Sequence, residues 1–134
     1  MATSQIIYND DVPGLAITIS PSLPWNTFRS IDLVETPVEI IDEAANIHGW
    51  YIYNAASSVR YVKFWDTDTA PTIATDTGLL KLTLAIPKTQ AANVSFSSGI
   101  KFENGIFVAV TTVIDDDDET GGTAGDITAN IFYK

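Results

Sequence analysis

The chain has 134 residues and no cysteine, and its 17 acidic against 7 basic side chains give a formal net charge of −10 at pH 7. This length favours a single domain, and the lack of cysteine excludes disulfides, thiol catalysis and thiolate zinc sites. The negative charge argues against a nucleic-acid partner, which is bound through Lys and Arg. A membrane partner is not expected either, because no apolar run approaches a bilayer span and residues 1–5 lack the features of a signal peptide.

Alternation of apolar and polar residues predicts many short strands separated by Pro, Gly, Asn, Asp or Ser. The predicted strands are residues 15–19, 27–35, 38–42, 47–54, 59–66, 80–86, 93–96, 106–114 and 127–133. Eight to nine evenly spaced short strands indicate an all-β fold, an antiparallel β-sandwich of the jelly-roll kind. Residues 1–14 are predicted to form an N-terminal arm suited to docking on a partner, and residues 15–134 a single sandwich domain.

The segments 47–54 and 59–66 are rich in aromatic residues and are joined by the small, polar residues 55–58, which predicts a hairpin. The two-residue period of a strand divides this hairpin into two faces. We assign one face to the core; its members are Trp50, Ile52, Val62 and Phe64. The other face would carry the candidate partner contacts Tyr51, Tyr53, Tyr61, Lys63 and Trp65, unless another layer of the same chain covers it. A platform for sugar rings is a third interpretation of that face.

A run of five carboxylates, residues 115–119, precedes a glycine-rich stretch. Mutual repulsion of these side chains favours a long, solvated loop. Oxygen ligands would suit calcium, with Asp115, Asp117 and Glu119 as the candidates, but the spacing is not that of an EF-hand. We therefore expect no metal site and no cofactor.

Catalytic motifs are not recognisable in the sequence. The single histidine, His48, lies in a predicted strand beside Gly49 and Trp50, where a structural role is expected. Nucleophile elbows, phosphate-binding loops and zinc-binding helices have no counterpart, and no pair of carboxylates stands out as a glycosidase pair. No catalytic residue is therefore assigned, and the chain is not expected to be an enzyme.

Several segments together resemble a family of small structural proteins of tailed bacteriophages. They are WYIYN (50–54), VKFWDTDTAPTIATDT (62–77), LTLAIP (82–87), SFSSGI (95–100), GI (105–106) and GDITANIFYK (125–134). The order of a lysine–aromatic strand, Thr-Ala-Pro-Thr, Asp-Thr and a Leu-rich strand ending in Ile-Pro is moderately specific. The run of four aspartates departs from the family pattern, in which this region is neutral, and the resemblance does not extend to residues before 47.

The resemblance implies a virion component with a β-sandwich fold, specifically a capsid decoration (cement) protein. Such a protein would be made in the host cytoplasm, bind the major capsid protein on the outer face of the head as a homo-oligomer, and stabilise the shell. Two alternatives stay open at this point. One is a structural protein of the neck, tail or fibre of the same virion, and the other is a carbohydrate-binding host-attachment module.

Overall fold

A computed structural model of the chain describes residues 5–8, 16–19 and 24–134. It confirms the all-β prediction: the regular elements are strands and one short 3-10 helix, Thr77–Leu79. The strands are β1 (Gln5–Tyr8), β2 (Ala16–Ile19), β3 (Asn26–Ser30), β4 (Val38–Ile41), β5 (Ala45–Asn54), β6 (Arg60–Trp65), β7 (Leu80–Ile86), β8 (Gln90–Phe102), β9 (Ile106–Thr111) and β10 (Ile127–Tyr133).

Eight of these strands form two four-stranded antiparallel sheets. Sheet I has the order β3-β10-β5-β8 and sheet II has the order β4-β9-β6-β7, while β1 and β2 pair with each other in a separate hairpin. Every connection from β3 to β10 except the one between β6 and β7 crosses from one sheet to the other. This connectivity is that of a jelly roll, in which two Greek keys wrap two sheets around one core.

The core lies between the two sheets and is built from the inward-facing residues of both. Ile52, Val62 and Phe64 are buried as predicted, and Trp50 packs against the same cluster while remaining partly accessible. Aliphatic side chains from the other strands complete the cluster, including Ile47, Ile106 and Ile131. The four core residues assigned from the sequence therefore all belong to this cluster or pack against it, since side chains alternate between the two faces of a strand.

The predicted hairpin of residues 47–66 is wrong, because β5 belongs to sheet I and β6 to sheet II. Asn54, which is fully buried, provides the physical reason. Its Nδ2 donates to the carbonyl oxygens of Ser58 and Ile86, both at 2.9 Å, and its Oδ1 accepts a hydrogen bond from the backbone N–H of Ala56 at 2.9 Å. The side chain therefore directs the chain across the core instead of back along the same sheet.

Several predicted strand bounds also differ from the structure. β3 ends at Ser30, where the hydroxyl oxygen accepts a hydrogen bond from the backbone N–H of Asp32. β9 ends at Thr111, and β8 runs for 13 residues in place of the four predicted. In the N-terminal arm, residues 5–8 form a strand, whereas the predicted boundary at residues 14 and 15 lies outside the described residues.

The pairing of β5 with β8 is interrupted by a large bulge in β8. The extra residues of this bulge are one reason why β8 is so long. Ile47 pairs with Ile100 and Gly49 pairs with Ser95, so residues 96–99 of β8 stand opposite His48 alone. Gly49 has a φ of +151°, and a methyl group there would overlap the carbonyl oxygen of Val94. Only glycine fits this close approach of the two backbones without strain.

We expect Gly49→Ala to destabilise the protein by at least about 2 kcal/mol, because it combines an unfavourable φ with an overlap against backbone. Gly78→Ala is the matched control, since a Cβ at Gly78 meets nothing within 4 Å, and it should change stability by less than about 0.5 kcal/mol. Urea unfolding followed by tryptophan fluorescence measures both. Equal stabilities of the two variants would contradict the role given to Gly49.

Candidate functional site

Four aromatic side chains form an exposed cluster on the outer face of sheet I, which we call the aromatic patch: Trp25, Tyr51, Tyr53 and Phe132. Trp25, Tyr51 and Tyr53 are 40%, 52% and 45% exposed. Tyr51 meets the ring of Phe132 edge-on with centroids 5.1 Å apart, and Trp25 stacks on Phe132 at 6.0 Å. The patch thus combines rings from β5, from β10 and from the residue before β3, which are far apart in the sequence.

The residues directly opposite the two tyrosines include amides and a hydroxyl, and the exposed Arg29 of β3 lies opposite Asn130. Tyr51 lies directly opposite Asn130 of β10 and Asn93 of β8, and Tyr53 lies opposite Thr128. Residues directly opposite each other in antiparallel strands have Cβ atoms about 5 Å apart. The Tyr51 ring is therefore flanked on both sides by a group that can donate and accept hydrogen bonds.

His48 lies beneath one end of the patch. Trp25 stacks on its ring with centroids 5.2 Å apart, and His48 is buried. Its Nδ1 is 3.1 Å from the carbonyl oxygen of Phe96, whereas Nε2 has no hydrogen-bond partner among the described residues. Donation from Nδ1 to this carbonyl fixes the ring at the bulge, which is a structural role, as the sequence suggested for a lone histidine.

The structure does not place the five predicted contact residues on one face. Tyr51 and Tyr53 lie on the outside of sheet I, whereas Tyr61, Lys63 and Trp65 lie on sheet II. Lys63 and Trp65 have no exposed surface, and Tyr61 is half-buried. Of the five, only the two tyrosines of β5 are freely accessible, because β5 and β6 belong to different sheets.

Trp65 is covered by the connection between β6 and the 3-10 helix. Its ring packs in a second apolar cluster with Ile73 of that connection and Phe107 of β9, and its Nε1 finds no hydrogen-bond partner in the described part of the chain. Asp66 ties this connection to the β8–β9 turn, since its carboxylate accepts hydrogen bonds from the backbone N–H groups of Glu103 and Asn104 at 3.0 and 2.8 Å. Partial burial alone would raise the pKa of Asp66, but these backbone N–H groups outweigh it and hold the pKa below its usual value.

Lys63 is covered by the acidic loop, residues 112–126. Its ammonium group donates to the backbone carbonyl oxygens of Asp115 at 2.6 Å and Asp118 at 3.4 Å. Burial lowers the pKa of Lys63, although the neighbouring aspartates partly oppose that shift. Most residues of the loop are exposed to solvent, as predicted, but the loop also folds over a buried cation supplied by β6.

The acidic loop has further internal ties. Thr112 and Thr120 are joined by a backbone hydrogen bond of 2.9 Å, and Arg60 forms an ion pair of 3.0 Å with Asp126. The Asp118 carboxylate accepts a hydrogen bond from the backbone N–H of Thr120 at 2.7 Å. Hydrogen bonds from Thr120 and the charge of Lys63 lower the pKa of Asp118.

The calcium candidates Asp115, Asp117 and Glu119 lie in this loop. Within residues 5–8, 16–19 and 24–134, no group of three or more carboxylate or histidine side chains is arranged to hold a metal ion. The two carbonyl oxygens that Lys63 binds are ligands of the type that calcium uses. In this loop the two carbonyl oxygens bind the ammonium group of Lys63 instead of a metal ion.

A shallow cleft of about 460 Å³ lies beside Asp66 and is lined also by Leu80, Lys81 and Asn104. The Asp66 carboxylate is engaged by backbone N–H groups, and the Lys81 ammonium lies 5.3 Å from the centre of the Phe102 ring. Both charged groups of the cleft thus have partners within the chain.

In the part of the chain that is described, no helix is long and apolar enough to cross a membrane.

Sequence reasoning missed Trp25 and Phe132 as members of the patch. Phe132 belongs to a predicted strand, and its outward position follows from the alternation with Ile131, so this signal was available. Trp25 precedes β3, outside any alternating run, and its contact with Phe132 depends on the pairing of β3 with β10. Without the sheet order, nothing in the sequence connects these two residues.

We expect Lys63→Met to loosen the acidic loop, because methionine fills the same apolar space but cannot donate to the two carbonyl oxygens. The cost should be about 1–3 kcal/mol, as for hydrogen bonds made by a charged group. Amide hydrogen exchange should speed up across residues 115–120. Lys81→Met, which removes an accessible lysine of the same sheet, is the control and should leave the loop unchanged. Unaltered exchange in Lys63→Met would contradict this role.

A scan of known protein families, a search of curated proteins and a search of solved structures each gave no match to this chain. Its function has therefore to be inferred from its own residues and their arrangement.

Proposed function

We propose that this chain is a non-enzymatic structural protein of a tailed-phage virion, a decoration protein that binds the major capsid protein on the outside of the head and stabilises the shell. The observation that carries the proposal is the aromatic patch. Tyr and Trp are over-represented among the residues that dominate binding energy at protein interfaces. Large exposed aromatic clusters on a rigid sheet are typical of contact surfaces.

The distribution of charge supports the same surface as the contact. The strands of sheet I contain no acidic residue, and their charged residues are Arg29 and Lys101. In the described part of the sandwich every carboxylate lies in a connection, with the exception of Glu39 in β4. The outer face of sheet I can therefore approach another protein without the repulsion that a net charge of −10 would otherwise cause.

The resemblance to phage structural proteins covers residues of the scaffold and most of the aromatic patch. Several of the resembling residues in the strands are buried in the core, for example Phe64, Trp65, Ile106 and Ile131. Others stabilise the β6–β7 connection, where Thr67 Oγ1 donates to the carbonyl oxygen of Thr69 at 3.0 Å. Three members of the patch, Tyr51, Tyr53 and Phe132, lie within the resembling segments, and Trp25 lies outside them.

The test uses heads of the phage that encodes this chain, prepared without it. The recombinant chain should bind at a copy number that matches the capsid subunits and should raise the temperature at which the heads disrupt. The double variant Tyr51→Ala/Tyr53→Ala should bind about tenfold or more weakly, since it removes two central aromatic contacts. Ile114→Ala removes an exposed apolar side chain from the acidic loop and should bind like the natural chain.

Failure to bind the heads, or binding that the tyrosine variant leaves unchanged, would contradict the proposal. A few copies at one vertex or along the tail would instead assign the chain to the neck, tail or fibre. Urea unfolding of each variant, performed in parallel, separates loss of contact from loss of folding.

Carbohydrate binding is a second candidate function, favoured by the amides on both sides of Tyr51. An aromatic ring can stack against the C–H face of a sugar, and the Asn93 and Asn130 side chains can exchange hydrogen bonds with sugar hydroxyls. Asn130 Nδ2 already donates to the backbone oxygen of Tyr51 at 3.3 Å, which fixes that amide beside the ring.

A glycan array distinguishes this candidate from the first. Host attachment through sugars predicts saturable binding of the natural chain that disappears in Tyr51→Ala and is retained in Ile114→Ala. Binding that survives Tyr51→Ala, or no binding to any glycan, would remove the candidate.

A further inference from the structure

A sheet edge with free backbone groups is an opportunity for pairing, and proteins usually block such edges with charge, proline, bulges or short length. The sandwich has four edge strands: β3 and β8 in sheet I, and β4 and β7 in sheet II. The length, charge, prolines and bulges of each edge strand decide whether it is blocked.

Three of the four edges are protected. β3 has five residues, follows Pro24 and carries the exposed Arg29. β4 has four residues, carries Glu39 and contains a bulge between Glu39 and Ile41. β7 carries the exposed Lys81 and stops at Pro87.

The first half of β8 has none of these protections. Residues 90–95, with the sequence QAANVS, contain no charge and no proline, and they pair with β5 in unbroken register. The bulge at residues 96–99 and the charge of Lys101 block the second half only. Among the described residues, β8 pairs with β5 and with no strand on its other side.

Val94 provides an independent sign that this edge is incomplete. It lies opposite Trp50 in the register and so shares the core-facing side of sheet I, yet it is 39% exposed. An inward-facing valine is normally buried, and a strand added beside β8 would cover it.

We infer that residues 90–95 of β8 pair antiparallel with the same residues of a second copy, which joins two sheets I into one continuous eight-stranded sheet. The segment is compatible with itself because it is uncharged and its side chains are small or amide-bearing. A two-fold axis perpendicular to the sheet closes the pair, as in most homodimers. Both aromatic patches then lie on the same side of the joined sheet, because a two-fold axis perpendicular to the sheet keeps the outer faces of both copies on one side.

The geometry of antiparallel pairing limits where the axis can lie. In an antiparallel pair, the N–H and C=O groups of two opposite residues either both point toward the partner strand or both point away from it. Neighbouring residues of one strand differ in this respect, so a residue of β8 cannot lie opposite its own neighbour in the second copy. The two-fold axis must therefore pass through a residue that faces its own copy, and the centre of the open segment places it at Ala92 or Asn93. The residue on the axis faces its own copy at a Cα separation of about 4.5–5.5 Å, within reach of a disulfide.

The experiment uses the purified full chain without any phage particle, so its failure is separate from failure of the proposed function. Sedimentation equilibrium into the millimolar range should show a monomer–dimer equilibrium. Val94→Lys, which puts a charge at the open edge, should raise the dissociation constant about tenfold or more. Val38→Lys is the matched control, because Val38 is 41% exposed on the protected edge strand β4, and it should leave the constant unchanged.

Disulfide trapping gives the position of the contact, since the chain has no cysteine of its own. Under mild oxidation, Ala92→Cys or Asn93→Cys should form a covalent dimer, whereas Ala85→Cys on the exposed part of β7 should not. A chain that stays monomeric throughout and traps at neither position overturns the inference. A dimer that is insensitive to Val94→Lys and traps at neither position overturns it as well, because its contact lies elsewhere.

Discussion

The organisation of this molecule depends on one buried side chain, that of Asn54. Its amide group satisfies the backbone at the point where the chain leaves sheet I and enters sheet II. A buried amide without partners would cost several kcal/mol, whereas the Asn54 amide has hydrogen-bond partners on both its nitrogen and its oxygen. Because β6 then starts in the opposite sheet, the aromatic residues on either side of this crossing point away from each other.

That separation gives the two outer faces different characters. On sheet II, loops of the chain cover Lys63 and Trp65, so the face is completed internally. On sheet I, no connection among the described residues buries Tyr51 or Tyr53. The covered face contributes to stability and the open face is available for contact, although the two strands look alike in sequence.

The sequence predicted the class of fold and the core-facing side of the aromatic segments, Trp50, Ile52, Val62 and Phe64, because both depend on local alternation of side chains. It did not predict which strands are neighbours. The small residues 55–58 are compatible with a hairpin and with a crossing, and only the partners of Asn54, which include the distant Ile86, distinguish the two. For the same reason the sequence could identify Tyr51 and Tyr53 as outward-facing but could not join Trp25 and Phe132 to them. The long β8 was missed because Ser97, Ser98 and Gly99 look like a turn, whereas they form a bulge opposite His48.

Charge and strand edges together limit how this chain can associate. Carboxylates concentrate in the connections, both around the acidic loop and around Asp66 and Glu103, so end-to-end contacts between copies would bring like charges together. Contact through sheet I avoids this repulsion, either across its aromatic face or along the uncharged half of β8. The two modes are compatible, since edge pairing leaves the face free and doubles the aromatic area on one side. In the proposed attachment to a capsid, a doubled surface would link two weak contacts and so strengthen binding to a repetitive lattice of identical subunits.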